Sequence, residues 1–315
     1  FLSLHPFQQK YIILRFKALY KNKSSINKLS LLFLIVIISI FIITLIGILI
    51  TNVMFSDFDS ASRNLSNYSY VNYLKAIQLL SGLGLFIIPI LLYSYVTSYN
   101  LNFRNHINMK NLLLVLAIMF LIPPFISLLL EWNMQIPVPD FLIFLNNDSE
   151  PIVRAFLRMN SFFDLAYNLF IIAIIPAIGE ELFFRGYLQK QLSNLFNNIH
   201  LSILLTAFLF SAVHLHFHGL LPRFVLGILL GYLLYWSKNL WIPIIAHFVN
   251  NALAVILSYK AIKIESGPYA LFSEEKVSHM SATFSFIAVA LLLSLFYKNT
   301  KKKTEKKSSI KNVNL

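Results

Sequence analysis

The sequence predicts an all-α, polytopic membrane protein with about eight transmembrane helices around a polar intramembrane cavity. Of its 315 residues, 57% are hydrophobic and only 12% are charged, whereas a soluble domain has about 25% charged residues. Long apolar runs recur along the chain, and a helix needs about 20 such residues to cross a bilayer. Cysteine is absent, which excludes disulfides, thiolate nucleophiles and metal sites built on cysteine.

Positive charge is concentrated at the two ends of the chain. Residues 1–30 and 298–315 together contain half of the 26 Lys and Arg residues and only one acid. Cationic segments beside membrane helices favour the cytoplasmic side. We therefore expect a basic amphipathic segment over 1–30 that lies on the bilayer surface, a membrane domain over 31–297 and a lysine-rich cytoplasmic tail over 298–315. Because no basic soluble face is available, we expect no nucleic-acid partner.

Eight apolar runs mark the expected spanning helices. Pro123 and Pro124 should bend the third helix. Asp164 is the expected N-cap of the fourth helix, and the polar residues 188–198 that follow it should lie at the membrane interface. The eight helices are expected at about 31–54, 74–97, 112–130, 164–187, 201–213, 220–236, 240–258 and 280–296.

Three ionisable residues, Glu180, Glu181 and Arg185, interrupt the apolar run of the fourth helix. Each such group inside a membrane costs at least about 2.5 kcal/mol, so their presence needs a reason. Glu181 and Arg185 are one helical turn apart and can form an ion pair, while Glu180 lies about 100° around the helix from Glu181. One carboxylate can therefore be structural while the other faces a cavity. The alternative is an ion pair at the membrane rim.

Two histidine patterns follow on later helices. His214 comes one turn after Phe210 at the end of the fifth helix, and His247 comes one turn before Asn251 on the seventh. Taken singly, His214 could be an interfacial or core residue, and His247 with Asn251 could join two helices by hydrogen bonds. Taken together with the glutamates, they suggest hydrolysis. A carboxylate and an imidazole can hold and deprotonate water, and two hydrogen-bond donors can stabilise the oxyanion that forms when water attacks an amide.

The order of these patterns, E-E-x-x-x-R, F-x-x-x-H and H-x-x-x-N on membrane helices, resembles the CAAX protease and bacteriocin-processing (CPBP) family of intramembrane glutamate proteases. That family includes the type II CAAX prenyl endopeptidase. The stretch 227–251, with N-L-W-I-P at 239–243, also resembles bacterial members. The resemblance covers about residues 164–258 and therefore concerns the chemistry more than the substrate.

The resemblance implies catalytic roles for four residues. Glu180 would activate a water molecule that His214 shares, and His247 with Asn251 would form the oxyanion site. The implied enzyme is a CAAX-like intramembrane protease that hydrolyses peptide bonds.

The resemblance also implies supporting roles and surroundings. Glu181 and Arg185 would orient and brace the first motif, and neither a metal ion nor another cofactor would be needed. The expected partners are the lipid bilayer and a peptide or membrane-protein substrate, lipidated or not. The expected location is the bacterial inner (plasma) membrane, crossed several times, with both termini cytoplasmic.

Three alternative functions remain open at the level of the sequence. The same fold could serve as a non-catalytic membrane scaffold or bacteriocin-immunity factor. A zinc-dependent membrane protease could use Glu180, His214 and His247 as ligands. A transporter could also carry buried ionisable residues, although the inverted repeats typical of transporters are not seen in the sequence.

Overall fold

The computed structural model of the protein describes residues 18–54, 64–101, 103, 106–140, 142, 149–263 and 278–313. These residues form helices and turns and contain no strand, so the predicted all-α class is confirmed. Residues 1–17 of the predicted amphipathic segment lie outside the described part of the chain.

The helices are numbered here in chain order, with three π-helical stretches named separately because they interrupt longer helices. They are α1 (Ser25–Met54), α2 (Tyr68–Gly82), π1 (Leu83–Ile87), α3 (Ile88–Thr97), α4 (Met109–Leu121), α5 (Pro123–Met134), α6 (Ser149–Phe156), α7 (Phe162–Asn168), π2 (Leu169–Ile174), α8 (Ile175–Glu181), π3 (Leu182–Leu188), α9 (Gln189–Phe196), α10 (Ile199–Ala212), the 3₁₀ turn Phe217–Gly219, α11 (Leu220–Ser237), α12 (Trp241–Lys263) and α13 (His279–Val313).

Six helical stretches in the described residues are long and apolar enough to cross a membrane. They are Ser25–Ile50, Tyr68–Thr97, Phe162–Phe196, Phe217–Ser237, Trp241–Lys260 and His279–Lys301. The pair α4 and α5 makes a seventh span if it is counted as one helix bent by 44°, and this bend lies at the predicted Pro123-Pro124 kink. The protein is therefore an integral, multi-pass membrane protein.

The predicted count of eight spans is not confirmed, because the helix expected as the fifth span is short. α10 has 14 residues, which at 1.5 Å per residue gives about 21 Å. The hydrocarbon core of a bilayer is about 30 Å thick. All eight predicted helices exist, but α10 falls short of the length that a full crossing needs.

The Phe162–Phe196 stretch, here called the glutamate helix, differs from the prediction at both ends. Its N-cap is Ser161, whose hydroxyl accepts a hydrogen bond from the Asp164 backbone N–H at 3.2 Å, while the Asp164 carboxylate accepts from the Ser161 N–H at 3.0 Å. Asp164 thus closes a capping box from three residues inside the helix. At the other end, the segment predicted to lie at the interface continues the helix, and Gln189 and Gln191 are buried there.

Small residues bring α10 and α11 close together behind the glutamate helix. The four-residue spacing of Gly227 and Gly231 predicts a close helix contact. A Cβ atom at Gly227 would lie 3.0 Å from the Cα of Ala207, and one at Gly231 would lie 2.8 Å from Ile203. This approach confirms the predicted contact. It also leaves the Gly227 and Gly231 carbonyls within reach of polar side chains of the glutamate helix.

Candidate active site

The glutamate pair lies on a short α-helical segment between two π-helical stretches. α8 ends at Glu181, with π2 before it and π3 after it. A π-turn widens the helix and changes which residues face a neighbour, and such turns often occur at functional sites. Gly179 permits a close approach to π1, because a Cβ atom there would lie only 3.0 Å from Ile87 and 3.1 Å from Phe86. The carboxylates are therefore held against the inside of the helix bundle.

Glu181 is fully buried and joins two partners through one oxygen. Its Oε1 accepts a hydrogen bond from Arg185 Nη1 at 2.7 Å and another from His247 Nδ1 at 2.9 Å. Arg185 in turn donates through Nη2 to the Gly227 carbonyl at 3.1 Å, and its guanidinium lies 4.4 Å from the centre of the Phe210 ring. The expected i,i+4 pair thus also connects the glutamate helix to α10, α11 and α12.

Glu180 points away from this ion pair, as the 100° rotation between consecutive helical residues predicts. Only 8% of the surface of Glu180 is exposed to solvent. Its Oε2 atom is buried and accepts no hydrogen bond from the described residues, and it lies 3.9 Å from His247 Nε2. A buried polar atom without a partner needs an explanation. Glu181 Oε2 is in the same state, but Glu181 is held by Arg185 through its other oxygen.

The hydrogen bond to Glu181 fixes the orientation of the His247 ring. A carboxylate only accepts hydrogen bonds, so Nδ1 must carry the proton that it donates to Glu181. The other nitrogen, Nε2, then faces Glu180. In a neutral ring Nε2 has a lone pair, and it can donate a hydrogen bond only if the ring is doubly protonated. This condition adds to the sequence-based expectation that His247 donates a hydrogen bond at the oxyanion site.

The same reasoning determines which nitrogen of the His214 ring carries the proton. Its Nδ1 lies 2.8 Å from the Phe210 carbonyl oxygen, which can only accept, so Nδ1 carries a proton and Nε2 presents a lone pair when the ring is neutral. The Phe210 ring lies between the two histidines, with its centroid 5.4 Å from His214 and 5.8 Å from His247. His214 therefore lies next to the same cluster, which it contacts through the Phe210 ring.

The charge state of His214 follows from its surroundings in the turn after α10. Burial, helped by the Arg223 cation, lowers the pKa of His214 to about 4. By surface area, however, His214 is an exposed residue. Contact of that exposed surface with water limits how far the pKa is lowered. A free imidazole has a pKa of about 6.5, so even a smaller lowering leaves the ring neutral at pH 7.

Asn251 is oriented by two hydrogen bonds. Its Nδ2 donates to the Ile172 carbonyl of π2 at 3.0 Å, and its Oδ1 accepts from Asn250 Nδ2 at 3.1 Å. One of its two amide hydrogens is engaged by Ile172, and the second remains for another acceptor. Asn251 and His247 lie on one face of α12, as predicted, but Asn251 also ties α12 to the π-helical segment before the glutamates.

One residue near the site was missed by the sequence analysis. Arg223, in the first turn of α11, is close enough to Glu180, His214 and His216 to interact with each of them electrostatically. Its Nη2 donates to the His216 carbonyl at 2.5 Å. A signal was present in the sequence, since Arg223 is an ionisable residue inside an apolar run and such residues are functional candidates by default.

A metal site would need several ligands around one point. Among the residues with described side chains, no group of three or more His, Asp or Glu is arranged to hold a metal ion. Glu180 and His247 lie near each other, while His214 is joined to them through Phe210. That the protein needs no metal ion stays a prediction.

Comparison with known proteins supports the resemblance seen in the motifs. The curated protein YpbD of Bacillus subtilis (strain 168), described as uncharacterized, is 25% identical over 116 residues, which is 35% of this chain and 57% of YpbD. The matched region thus spans little more than half the length of that relative. No solved structure gives a significant match.

A family model matches the part of the chain that holds the cluster. Residues 162–253 match the model described as type II CAAX prenyl endopeptidase Rce1-like. This range agrees with the predicted core at about 164–258 and includes all six predicted site residues. The segment 162–253, from the glutamate helix to α12, is therefore similar to the Rce1-like family, as the motifs predicted.

Proposed function

We propose that this protein is an intramembrane endopeptidase that hydrolyses a peptide bond with water activated by Glu180. The observation that supports this most is the Glu180 Oε2 atom, which is buried, accepts no hydrogen bond from the described residues and lies 3.9 Å from His247 Nε2. Placing a carboxylate inside a membrane segment is costly. A catalytic role gives a reason for that cost, and the Rce1-like segment implies a protease.

In the proposed reaction, Glu180 takes a proton from water while the water oxygen bonds to the carbonyl carbon of the scissile amide. The His214 Nε2 lone pair accepts the second hydrogen of the same water and directs its oxygen toward the carbonyl. The electrons of the C=O bond move to the oxygen, which becomes an oxyanion. When the C–N bond breaks, the proton held by Glu180 passes to the leaving amine, and Glu180 returns to a carboxylate.

The oxyanion would be stabilised by donors on α12. The second amide hydrogen of Asn251 is one donor. His247 can be the other only through an Nε2–H, and since its Nδ1–H is donated to Glu181, the ring must then carry both protons. Glu181 would support this arrangement by fixing the His247 ring and balancing its charge, and Arg185 would support it by holding Glu181. Donors aimed at a developing oxyanion commonly make the largest single contribution to such a reaction.

We also propose a substrate and a setting for this reaction. The substrate would be a peptide or a membrane protein, with or without a lipid, that reaches the site within the bilayer. The protein would lie in the bacterial inner membrane with both termini cytoplasmic, because both ends are strongly basic and basic segments favour the cytoplasmic side.

Terminal-labelling proteomics of membranes tests the proposal without a known substrate. Membranes with the wild-type protein are compared with membranes that contain Glu180→Gln at the same level. Glu131→Gln, the same change on α5 outside the matched segment, is the control. New peptide termini should appear with the wild type and the control and be missing with Glu180→Gln. Identical termini in all three samples would contradict the proteolytic function and favour a non-catalytic scaffold or immunity factor.

A further inference from the structure

The turn that carries His214 has an unusual backbone. After α10 ends, Leu215 adopts a φ of 51°, a left-handed conformation that residues other than glycine seldom adopt. Such conformations persist only when their surroundings hold them, and they cluster at functional sites. The turn between α10 and α11 therefore needs a contact that keeps it in place.

Arg223 makes that contact from the first turn of α11. Its Nη2 donates to the His216 carbonyl at 2.5 Å, one residue after the left-handed Leu215. The guanidinium lies directly against Gly219, where an added Cβ atom would come within 2.3 Å of Nη1. The Arg223 Nε atom is buried and has no hydrogen-bond partner among the described residues. Gly219 and His216 thus define one half-buried seat for this side chain.

The Arg223 cation lies close to two groups of the proposed reaction, Glu180 and His214. It interacts electrostatically with the Glu180 carboxylate and with the His214 ring. Arg185, the other guanidinium of the cluster, is instead held by Glu181 and the Gly227 carbonyl. The two arginines therefore have different surroundings, one in the glutamate helix and one beside the histidine turn.

We propose that Arg223 is a positioning residue that holds the turn after α10, so that His214 presents its Nε2 lone pair to the site. Its catalytic consequence rests on the proposed function, but the positioning of His214 does not. Arginine suits this seat because its planar fork can donate to the His216 carbonyl while the rest of the group lies against Gly219. Lysine has a single ammonium group and cannot reproduce this planar arrangement of donors.

Gly219→Ala offers a test that leaves the arginine in the chain. Gly219 has a φ of −101°, which alanine can adopt, so the added methyl group acts by pushing the guanidinium out of its seat. Gly82→Ala is the matched control, because a Cβ atom there would lie 3.5 Å from Ile175, an ordinary contact. Arg223→Gln and Arg223→Lys complete the set.

The first measurement does not depend on activity. Nitrogen-15 NMR of histidine-labelled protein in nanodiscs, with the His214 signal assigned by its loss in His214→Gln, reports which ring nitrogen carries the proton. We expect a protonated Nδ1 in the wild type and in Gly82→Ala, and a mixture of tautomers in Gly219→Ala and Arg223→Gln. An unchanged His214 signal in a folded Gly219→Ala protein would overturn the proposal.

The second measurement uses cleavage once a substrate is found. A displacement of about 1 Å in a catalytic group can cost about 10²-fold in rate, so Gly219→Ala and Arg223→Gln should lower kcat by about that factor with little change in KM. Arg223→Lys should recover part of the loss. The double variant Gly219→Ala with Arg223→Gln should have a kcat no lower than that of the less active single variant, because both changes act through one contact. Independent, multiplying losses would contradict a shared role.

The two measurements separate two kinds of failure. If the wild type cleaves nothing but the His214 tautomer responds to Gly219→Ala, the proposed function is wrong and the positioning role stands. If cleavage falls while the His214 signal stays unchanged, the protease proposal stands and Arg223 does not act through His214.

Discussion

Glu181 Oε1 and His247 Nδ1 lie 2.9 Å apart, although 66 residues separate them in the chain. This hydrogen bond links the first and third motifs directly and leaves His247 Nε2 facing Glu180. Glu181 is therefore more than the partner of Arg185, because it determines which nitrogen of His247 is available to the site.

The first prediction concerns the His247 tautomer. Nitrogen-15 NMR of the wild-type protein near neutral pH should show a proton on Nδ1, because the Glu181 carboxylate accepts from that atom. In Glu181→Leu, which has no acceptor, the preference for Nδ1–H should disappear. A neutral wild-type ring with its proton on Nε2 and a bare Nδ1 would show that the two motifs are not joined in this way.

The second prediction concerns the buried ion pair. Arg185→Met should destabilise the protein by about 3–5 kcal/mol, because it leaves Glu181 as a buried charge without its guanidinium. Adding Glu181→Gln to Arg185→Met should recover part of that loss, since the unpaired charge is then removed. Thermal unfolding in detergent measures both variants. Equal stability of Arg185→Met and the wild type would mean that Glu181 does not depend on this pair.

The third prediction concerns the asparagines of α12. Asn251→Ala should lower kcat by about 10²–10³-fold with little change in KM, which is the usual cost of losing one oxyanion donor. Asn251→Asp should be at least as damaging, because a carboxylate has no hydrogen to donate to Ile172 or to an oxyanion. If both variants mainly raise KM, Asn251 belongs to substrate binding.

Asn250→Ala is the comparison for that experiment. The residue points elsewhere on α12 but donates to Asn251 Oδ1 at 3.1 Å, so it is not fully independent of the site. The loss of one such hydrogen bond is worth about 0.5–1.5 kcal/mol, and activity should fall by no more than about tenfold. A dead Asn250→Ala beside an active Asn251→Ala would mean that the wrong face of α12 was assigned to the site.

The fourth prediction is that activity does not need a bound metal. Asn251 is a poor zinc ligand, yet it shares the His247 face of α12, an arrangement that suits two hydrogen-bond donors. Elemental analysis of active, chelator-washed protein is the measurement. One zinc per chain, with activity lost when it is removed and restored when it is added back, would replace the glutamate mechanism with a zinc-dependent one.

The fifth prediction concerns membrane topology. Reporter fusions should place position 60 and position 148 outside the cytoplasm, and position 105 and the C-terminus inside it, as eight spans with both basic ends in the cytoplasm require. The 14-residue helix α10 decides whether the two termini lie on the same side. If α4 and α5 cross as one span and α10 does not cross, seven spans would place the termini on opposite sides. A C-terminal reporter outside the cytoplasm would support that arrangement.

The sequence by itself determined the all-α membrane class and the positions of the eight helices, because apolar runs in a lipid environment have few alternatives to helix. It also identified the Glu181–Arg185 pair, since residues one turn apart on a helix are neighbours whatever surrounds them. The motif order was sufficient to indicate the family. Each of these features depends on local spacing or on composition.

Only the tertiary structure decided how these residues meet. The tautomers of His214 and His247 depend on acceptors placed beside them, and for His247 that acceptor lies on another helix. The seat of Arg223 depends on how the turn after α10 folds back toward α11. In both π-helical segments around the glutamates, a side chain from elsewhere in the chain donates to a backbone carbonyl: Asn251 to Ile172 in π2 and Tyr99 to Gly186 in π3. Contacts between distant segments depend on packing, and the spacing of residues along one helix does not specify them.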